Sequence, residues 1–173
     1  MKKNILVALM ASVVFITAPA AEVADSTKND SIIFTTIKEI PITSIKNQAR
    51  SGTCWNYSTL SFFEAEILKK NGKTYDLCEM FVANRNYMDR AIMKVRLHGD
   101  MQFSQGGSAY DVYYILSNYG ICPEDAMPAP GTMYGDTLNN FNEFFKVMTP
   151  YVQALSTSDA KKLSPAWKNG LQG

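Results

Sequence analysis

From Cys54 to Lys70 the apolar side chains Tyr57, Leu60, Phe63, Ile67 and Leu68 return at three- and four-residue steps. That spacing predicts a helix with one apolar face. Asn71-Gly72 supplies its stop, and Ser51 or Thr53 a hydroxyl N-cap. A second helix is predicted from about Cys78 to Lys94, with Met80 or Phe81, Asn84, Tyr87, Ile92 and Val95 near one side. The turn chemistry of "HGDMQFSQGGS", residues 98 to 108, ends it. A third runs from Ser108 to Tyr119, with Ser108 as cap, Val112, Ile115, Leu116 and Tyr119 facing inward, and Gly120 as stop. "LNNFNEFFKVMTPYVQAL" reads as a fourth helix, broken near Pro150. Ahead of them all, "IIFTTIKEIPITSIKNQ" is rich in Ile and Thr and suits an extended segment, which Pro41 confines to an edge or bend. "CPEDAMPAPGTMYG" is a loop carrying Pro123, Pro128 and Pro130. The pattern as a whole predicts a mainly helical chain with little strand.

The N-terminus follows a different pattern. Lys2 and Lys3 precede the twelve-residue apolar run "ILVALMASVVFI", and small residues follow. This is the layout of a secretory signal peptide with its cut after Ala20 or Ala21. The run is well short of the roughly 20 residues that span a bilayer. The expected organisation is a signal peptide over residues 1–21, a flexible polar stretch over 22–37, and one domain over 38–173. The expected location is periplasmic or secreted. Composition adds little beyond this. Hydrophobic residues make up 46% and charged residues 19% of the 173, which places the chain among folded domains. The formal charge is +1, and removing the signal takes away two lysines and no acid, leaving −1. No charge field therefore argues for nucleic acid.

Export permits disulfides, but Cys54, Cys78 and Cys122 are odd in number, so at least one stays unpaired within the chain. With no CxxC and no His cluster, no metal site and no cofactor is expected. Cys78 and Cys122 could pair in an oxidising compartment. Cys54 sits at the start of the first predicted helix, where unsatisfied N–H groups and the positive end of the macrodipole favour a thiolate. Gly52 lets the backbone turn tightly into that helix. Gln48 could join the Cys54 N–H in holding an oxyanion. A cysteine there can equally be a small packed hydrophobe.

Taken together, "NQARSGTCW" resembles the nucleophile segment of papain-like cysteine peptidases, with Gln, five residues, Cys and Trp. It is most similar to the bleomycin hydrolase and aminopeptidase C branch, in its exported bacterial form. "YDLCEMFVANRNYMDRA" resembles that family's "LSE" helix, with Cys78 where Ser is usual. "SQGGSAYDVYYILSNYGICPEDAMP" resembles its Gly-Gly substrate-binding turn, the helix after it and the following loop, and "KKLSPAWKNGL" also looks like this branch. Many papain relatives carry a cysteine three residues before the nucleophile. Here that position is Ser51, as in the bleomycin hydrolase branch.

The resemblance implies an α+β papain-like cysteine proteinase fold, of which residues 38 to 173 would be the mainly helical N-terminal half, with the strand-rich half missing. It makes Cys54 the nucleophile and Gln48 the oxyanion-hole side chain. It places Trp55 beneath the site and gives Gly106 and Gly107 to the backbone of a peptide substrate. The family's catalytic His and Asn come from the strand-rich half. His98 is the single histidine and does not match that motif, so the expectation is a peptidase, probed as an aminopeptidase first, whose base lies outside this chain and which is inactive alone. An endopeptidase, or a non-catalytic fragment that binds a peptide or a partner half, is the alternative. Oligomerisation is open, since no contact surface can be read from the sequence.

Overall fold

The computed structural model describes residues 34–127 and 138–172. The expected signal peptide, most of the 22–37 stretch, Pro128 and Pro130 lie outside the described residues. Residues 34–37 belong to a separate unit, Met1–Ile37, and every element below belongs to the unit Lys38–Gly173. Among the described residues five helices follow in order: α1 Cys54–Asn71, α2 Glu79–Arg96, α3 Ala109–Tyr119, α4 Asn142–Ser156 and α5 Ala166–Gln172. A 3₁₀ turn, Glu124–Ala126, lies between α3 and α4. Among the described residues the only β pairing is two isolated bridges, Arg50 with Asn140 and Leu77 with Pro123.

Helix α2 packs against α1, α3 and α4. Its Val82, Ala83, Tyr87 and Ala91 meet Leu60 of α1, Val112 and Ile115 of α3, and Phe145 and Val152 of α4. The Tyr87 ring stands edge-on to Phe145 at 4.9 Å between centroids, a geometry that aromatic quadrupoles favour. Three neighbours require a broad inner face, so Asn86 and Ala91 turn inward while Asn84, expected on the core side, is exposed and Ile92 only half-buried. Likewise Val112 and Ile115 of α3 are buried but Tyr119 is exposed. Its hydroxyl reaches Asp89 of α2 at 2.8 Å instead.

The caps divide by chemistry. Gly72 ends α1 in the left-handed conformation with φ 69°, its N–H on Leu68 O, as a C-cap glycine does. Asp111 closes the start of α3 by accepting both the Ser108 N–H and its hydroxyl, at 2.7 and 2.8 Å. Cys78 caps α2, its sulfur accepting the Phe81 N–H at 3.2 Å. Thr53 occupies the N-cap position of α1 without a side-chain cap bond. Its hydroxyl is buried against Ser51 Oγ at 2.5 Å, so neither expected hydroxyl caps the helix.

Helix α4 does not break at Pro150 but runs through it. Proline removes the donor to the carbonyl of Lys146, and both residues lie on the exposed side, so no buried polar group is orphaned. The Ile- and Thr-rich segment forms no strand among the described residues. A strand needs a ladder partner, and residues 38–48 meet none. Ile40, Ile42 and Ile45 are exposed, Ile45 at 93%.

What fixes that segment is polar. Lys46 Nζ donates to Glu64 Oε1 at 3.2 Å, Glu79 Oε1 at 2.9 Å and Leu77 O at 2.9 Å. Thr43 donates to Glu64 Oε2 at 2.7 Å, and Leu77 N–H to Glu64 Oε1 at 2.7 Å. Asp76 lies 2.6 Å from Lys46 but is 62% exposed, where an ion pair adds little. Glu64, on the inner face of α1, and Glu79, at the start of α2, are almost fully buried. One lysine thus ties the chain before the Cys54 loop to both helices behind it.

Candidate active site

Residues 47–53 form a tight loop that delivers Cys54 to the first position of α1. Asn47 Oδ1 accepts the Ala49 N–H at 2.9 Å. Ala49 itself takes φ 50°, a left-handed conformation that costs a residue with a Cβ and persists where its surroundings fix it. Gln48 Nε2 donates to Ser51 O at 2.7 Å, and Ser51 Oγ donates back to Gln48 O at 2.7 Å. This reciprocal pair ties the Gln48 amide to Ser51, three residues on, and uses one of its two N–H donors.

Cys54 is exposed. The first turn of α1 carries no acidic side chain, so the positive end of the helix meets the thiol unopposed. The Cys54 N–H is among the donors that a helix start leaves without an intrahelical partner. An anion forming beside Cys Sγ would therefore find backbone N–H groups close by.

Trp55 points the other way and is buried. Its Nε1 donates to Gln105 O at 3.0 Å, and Tyr87 Oη donates to the same carbonyl at 3.0 Å. Gln105 Oε1 accepts the Gly52 N–H at 2.7 Å. A Cβ on Gly52 would lie 2.9 Å from Gln105 Cβ, and one on Gly107 only 2.6 Å from Trp55 Cε2. The Gly-Gly turn therefore lies directly on the indole, and Gly107 is required by close approach. Arg90 completes the arrangement. One guanidinium nitrogen donates to Gly106 O, and the other meets Asp111 Oδ1 at 2.9 Å. Burial opposes the charge on Asp111, but Arg90 and Ser108 outweigh it and hold its carboxyl below the usual range. That contribution is present above the ordinary carboxylate pKa and is lost as pH falls through the depressed one.

The structure brings Gln48, Cys54, Trp55, Gly106 and Gly107 into one connected assembly. Gln105 and Arg90 are its unforeseen members. Gln105 precedes the Gly-Gly pair and was legible only as loop polarity. Arg90 lies in the middle of α2, and no local signal links it to a turn sixteen residues later. His98 falls outside the assembly. It is exposed in the turn after α2 with φ 52°, and its backbone N–H goes to Val95 O rather than to any residue of the assembly.

Among the described residues no group of three or more His, Cys, Asp or Glu could hold a metal ion. A cavity of about 610 Å³ opens between α2 and α4, lined by Met80, Tyr87, Phe144 and Met148 among others. None of residues 47–55 or 105–108 lines it, so it is separate from Cys54.

The profile of the papain family cysteine proteases matches residues 30–165, most of the chain. Human cathepsin L2 is 29% identical over 87 residues, which cover 50% of this chain and 23% of cathepsin L2. The chain thus matches less than a quarter of that relative's length. The helical architecture is that of the N-terminal half of the papain-like α+β fold, and the chain belongs to the papain family of cysteine proteases.

Proposed function

We propose that this chain carries the nucleophile half of an exported cysteine peptidase. Cys54 attacks the carbonyl of a peptide substrate as the thiolate, and Gln48 with the Cys54 N–H holds the oxyanion. The acyl-enzyme is then hydrolysed with the help of an imidazole other than His98. The observation that carries this reading is the connection through Gln105, which joins the nucleophile loop, Trp55 and the Gly-Gly turn. An extended peptide laid along Gly107 would meet free backbone beside an exposed thiol, as strand-like recognition requires.

The finer reading is an aminopeptidase of the bleomycin hydrolase and aminopeptidase C branch. Ser51 supports it, being buried and bonded to Gln48 O where many papain relatives carry a cysteine. Export rests on the N-terminal pattern of residues 1–21. The exposed Ile40, Ile42 and Ile45 form a surface on which a strand-rich half would pack. A second reading, a non-catalytic module that binds a peptide or a partner half, is favoured by the position of His98, the single histidine, in the exposed turn after α2 rather than in the assembly around Cys54.

Two measurements on the 173-residue chain test this. Alone, it is expected to show no turnover of aminoacyl or peptidyl substrates; turnover that disappears in Cys54→Ala would mean the base lies within it. Cys54 is expected to react with a peptidyl thiol-peptidase inhibitor. Exposure alone favours Cys54 over buried Cys78 and half-buried Cys122, so the readout is a ratio. The peptidyl reagent should outpace iodoacetamide at Cys54 relative to the same pair of reagents on a free thiol peptide. A ratio equal to that of the peptide would favour the binding module.

A further inference from the structure

We infer that Cys78 and Cys122 are a built cross-linking site, two thiols placed by the backbone to close into a disulfide. Leu77 and Pro123 form an antiparallel bridge. The Cys78 N–H donates to Cys122 O at 3.1 Å, and the Glu124 N–H to Asp76 O at 2.9 Å. In that register Cys78 and Cys122 are directly opposed. A hydrogen-bonded antiparallel pair holds its Cα atoms about 5.5 Å apart with side chains on one face, and Cys78 and Cys122 make one of that pair's two bonds. A disulfide spans Cα separations of about 4.4–6.8 Å. Both thiols are free in the structure.

The two play different parts. Cys78 is fully buried, its sulfur accepting the Phe81 N–H and donating to Met127 O at 3.0 Å. Burial pushes the Cys78 thiol up to about 12, so it is a poor initiator at neutral pH. Cys122 is partly exposed and is the point of entry. With a low-molecular-weight disulfide such as oxidised glutathione, the Cys122 thiolate attacks one sulfur and expels a glutathione thiolate. Cys78 then loses its proton to solvent base as its sulfur attacks that of Cys122, expelling the second glutathione. The protein loses two hydrogens, and one oxidised glutathione becomes two reduced ones.

Opposed hydrogen-bonded positions hold their Cβ atoms slightly farther apart than a relaxed disulfide prefers. The bridge is therefore of the labile, reversible kind rather than a permanent staple. Its effect is to fix the start of α2 to residues 122–127. Glu79, the next residue, holds Asn56 of the nucleophile helix through its carbonyl at 2.7 Å, so the cross-link would brace the wall behind Cys54. This holds whatever substrate Cys54 meets.

The test uses the full chain with Cys54→Ser, which removes the exposed competitor. After incubation with oxidised glutathione without denaturant, a non-reducing digest is expected to yield one peptide pair joining Cys78 to Cys122, free of glutathione. The thermal midpoint should rise, and dithiothreitol should reverse both. Adding Cys78→Ser should stop the reaction at a glutathione adduct on Cys122. A persistent adduct on Cys122 with Cys78 still intact would overturn the proposal, as would a cross-link that lowers the midpoint.

Discussion

Lys46→Met is expected to cost about 3–5 kcal/mol of folding stability, the loss typical when one partner of a buried ion pair is removed. The variant keeps the aliphatic stem but leaves Glu64 and Glu79, almost wholly buried, without their shared cation. Against a total of roughly 5–15 kcal/mol for a domain, that is a large fraction. The pH dependence gives the cause. Burial works against the Lys46 charge, but Asp76, Glu79 and Glu64 outweigh it and raise its pKa above the ordinary lysine value. Its contribution is therefore complete below that ordinary value and disappears only as pH rises through the raised one. Glu79 is also raised, by burial, with Lys46 opposing. Its contribution is complete below the ordinary carboxylate value and is lost as pH rises through the folded one. Removing Lys46 takes away the opposing attraction and enlarges that loss. Urea midpoints of the two proteins should thus differ most near neutrality and converge as pH falls below the ordinary carboxylate value, where Glu79 is protonated in both the folded and the unfolded chain. A constant gap across that range would mean that packing of the lysine stem, not charge, is responsible.

Gly107→Ala is the second large effect, expected at about 1–3 kcal/mol, the usual cost of forcing a methyl into a packed site. The new Cβ would lie 2.6–2.7 Å from two atoms of the Trp55 indole. That ring cannot retreat, since it is 6% exposed and bonded to Gln105 O. The Gly-Gly turn must lift instead, straining the Gly52 and Trp55 bonds to Gln105 together. Gly106→Ala supplies the internal comparison, because its Cβ would meet nothing within 4 Å and should change stability by less than about 0.5 kcal/mol. The same pair separates structure from recognition. Gly107→Ala should slow a peptidyl inhibitor at Cys54 more than it slows iodoacetamide. Equal urea midpoints for the two alanine variants would show that Trp55 yields easily and that the contact does not set the turn.

The helices were legible because their signals are local. The three- and four-residue spacing of Leu60 and Phe63, the glycines at 72 and 120, and Ser108 with Asp111 sit where helix chemistry needs them, and the structure uses them so. Among the described residues the fold is mainly helical, as the resemblance of "NQARSGTCW" and the Gly-Gly segment implied. The failures share one cause, a partner distant in sequence. Nothing local in the sequence marks Glu64, which Lys46 and the Leu77 N–H reach from 18 and 13 residues away. Asn84 reads as core until α2 is seen to serve three neighbours. The Ile- and Thr-rich segment reads as extended, at an edge or bend, but pattern alone cannot say whether it has a ladder partner, and among the described residues it forms no strand. Pro150 reads as a break because the sequence does not show that the carbonyl it orphans faces outward. In the candidate site, Cys54, Gln48 and the glycines stood out by residue type, whereas Arg90 and Gln105 became visible only through what they hold.

Asn56 bears on how the protein can be made. It is fully buried, its amide committed to the carbonyl of Glu79, yet "NYS" is an acceptor sequon for N-linked sugar. In the folded protein no transferase can reach it. During translocation into a eukaryotic secretory compartment the same asparagine would pass by before α1 and α2 have met, and a glycan added then would keep those helices apart. A bacterial host, or an Asn-sparing change of Ser58, avoids a lesion that would otherwise look like an intrinsic failure to fold.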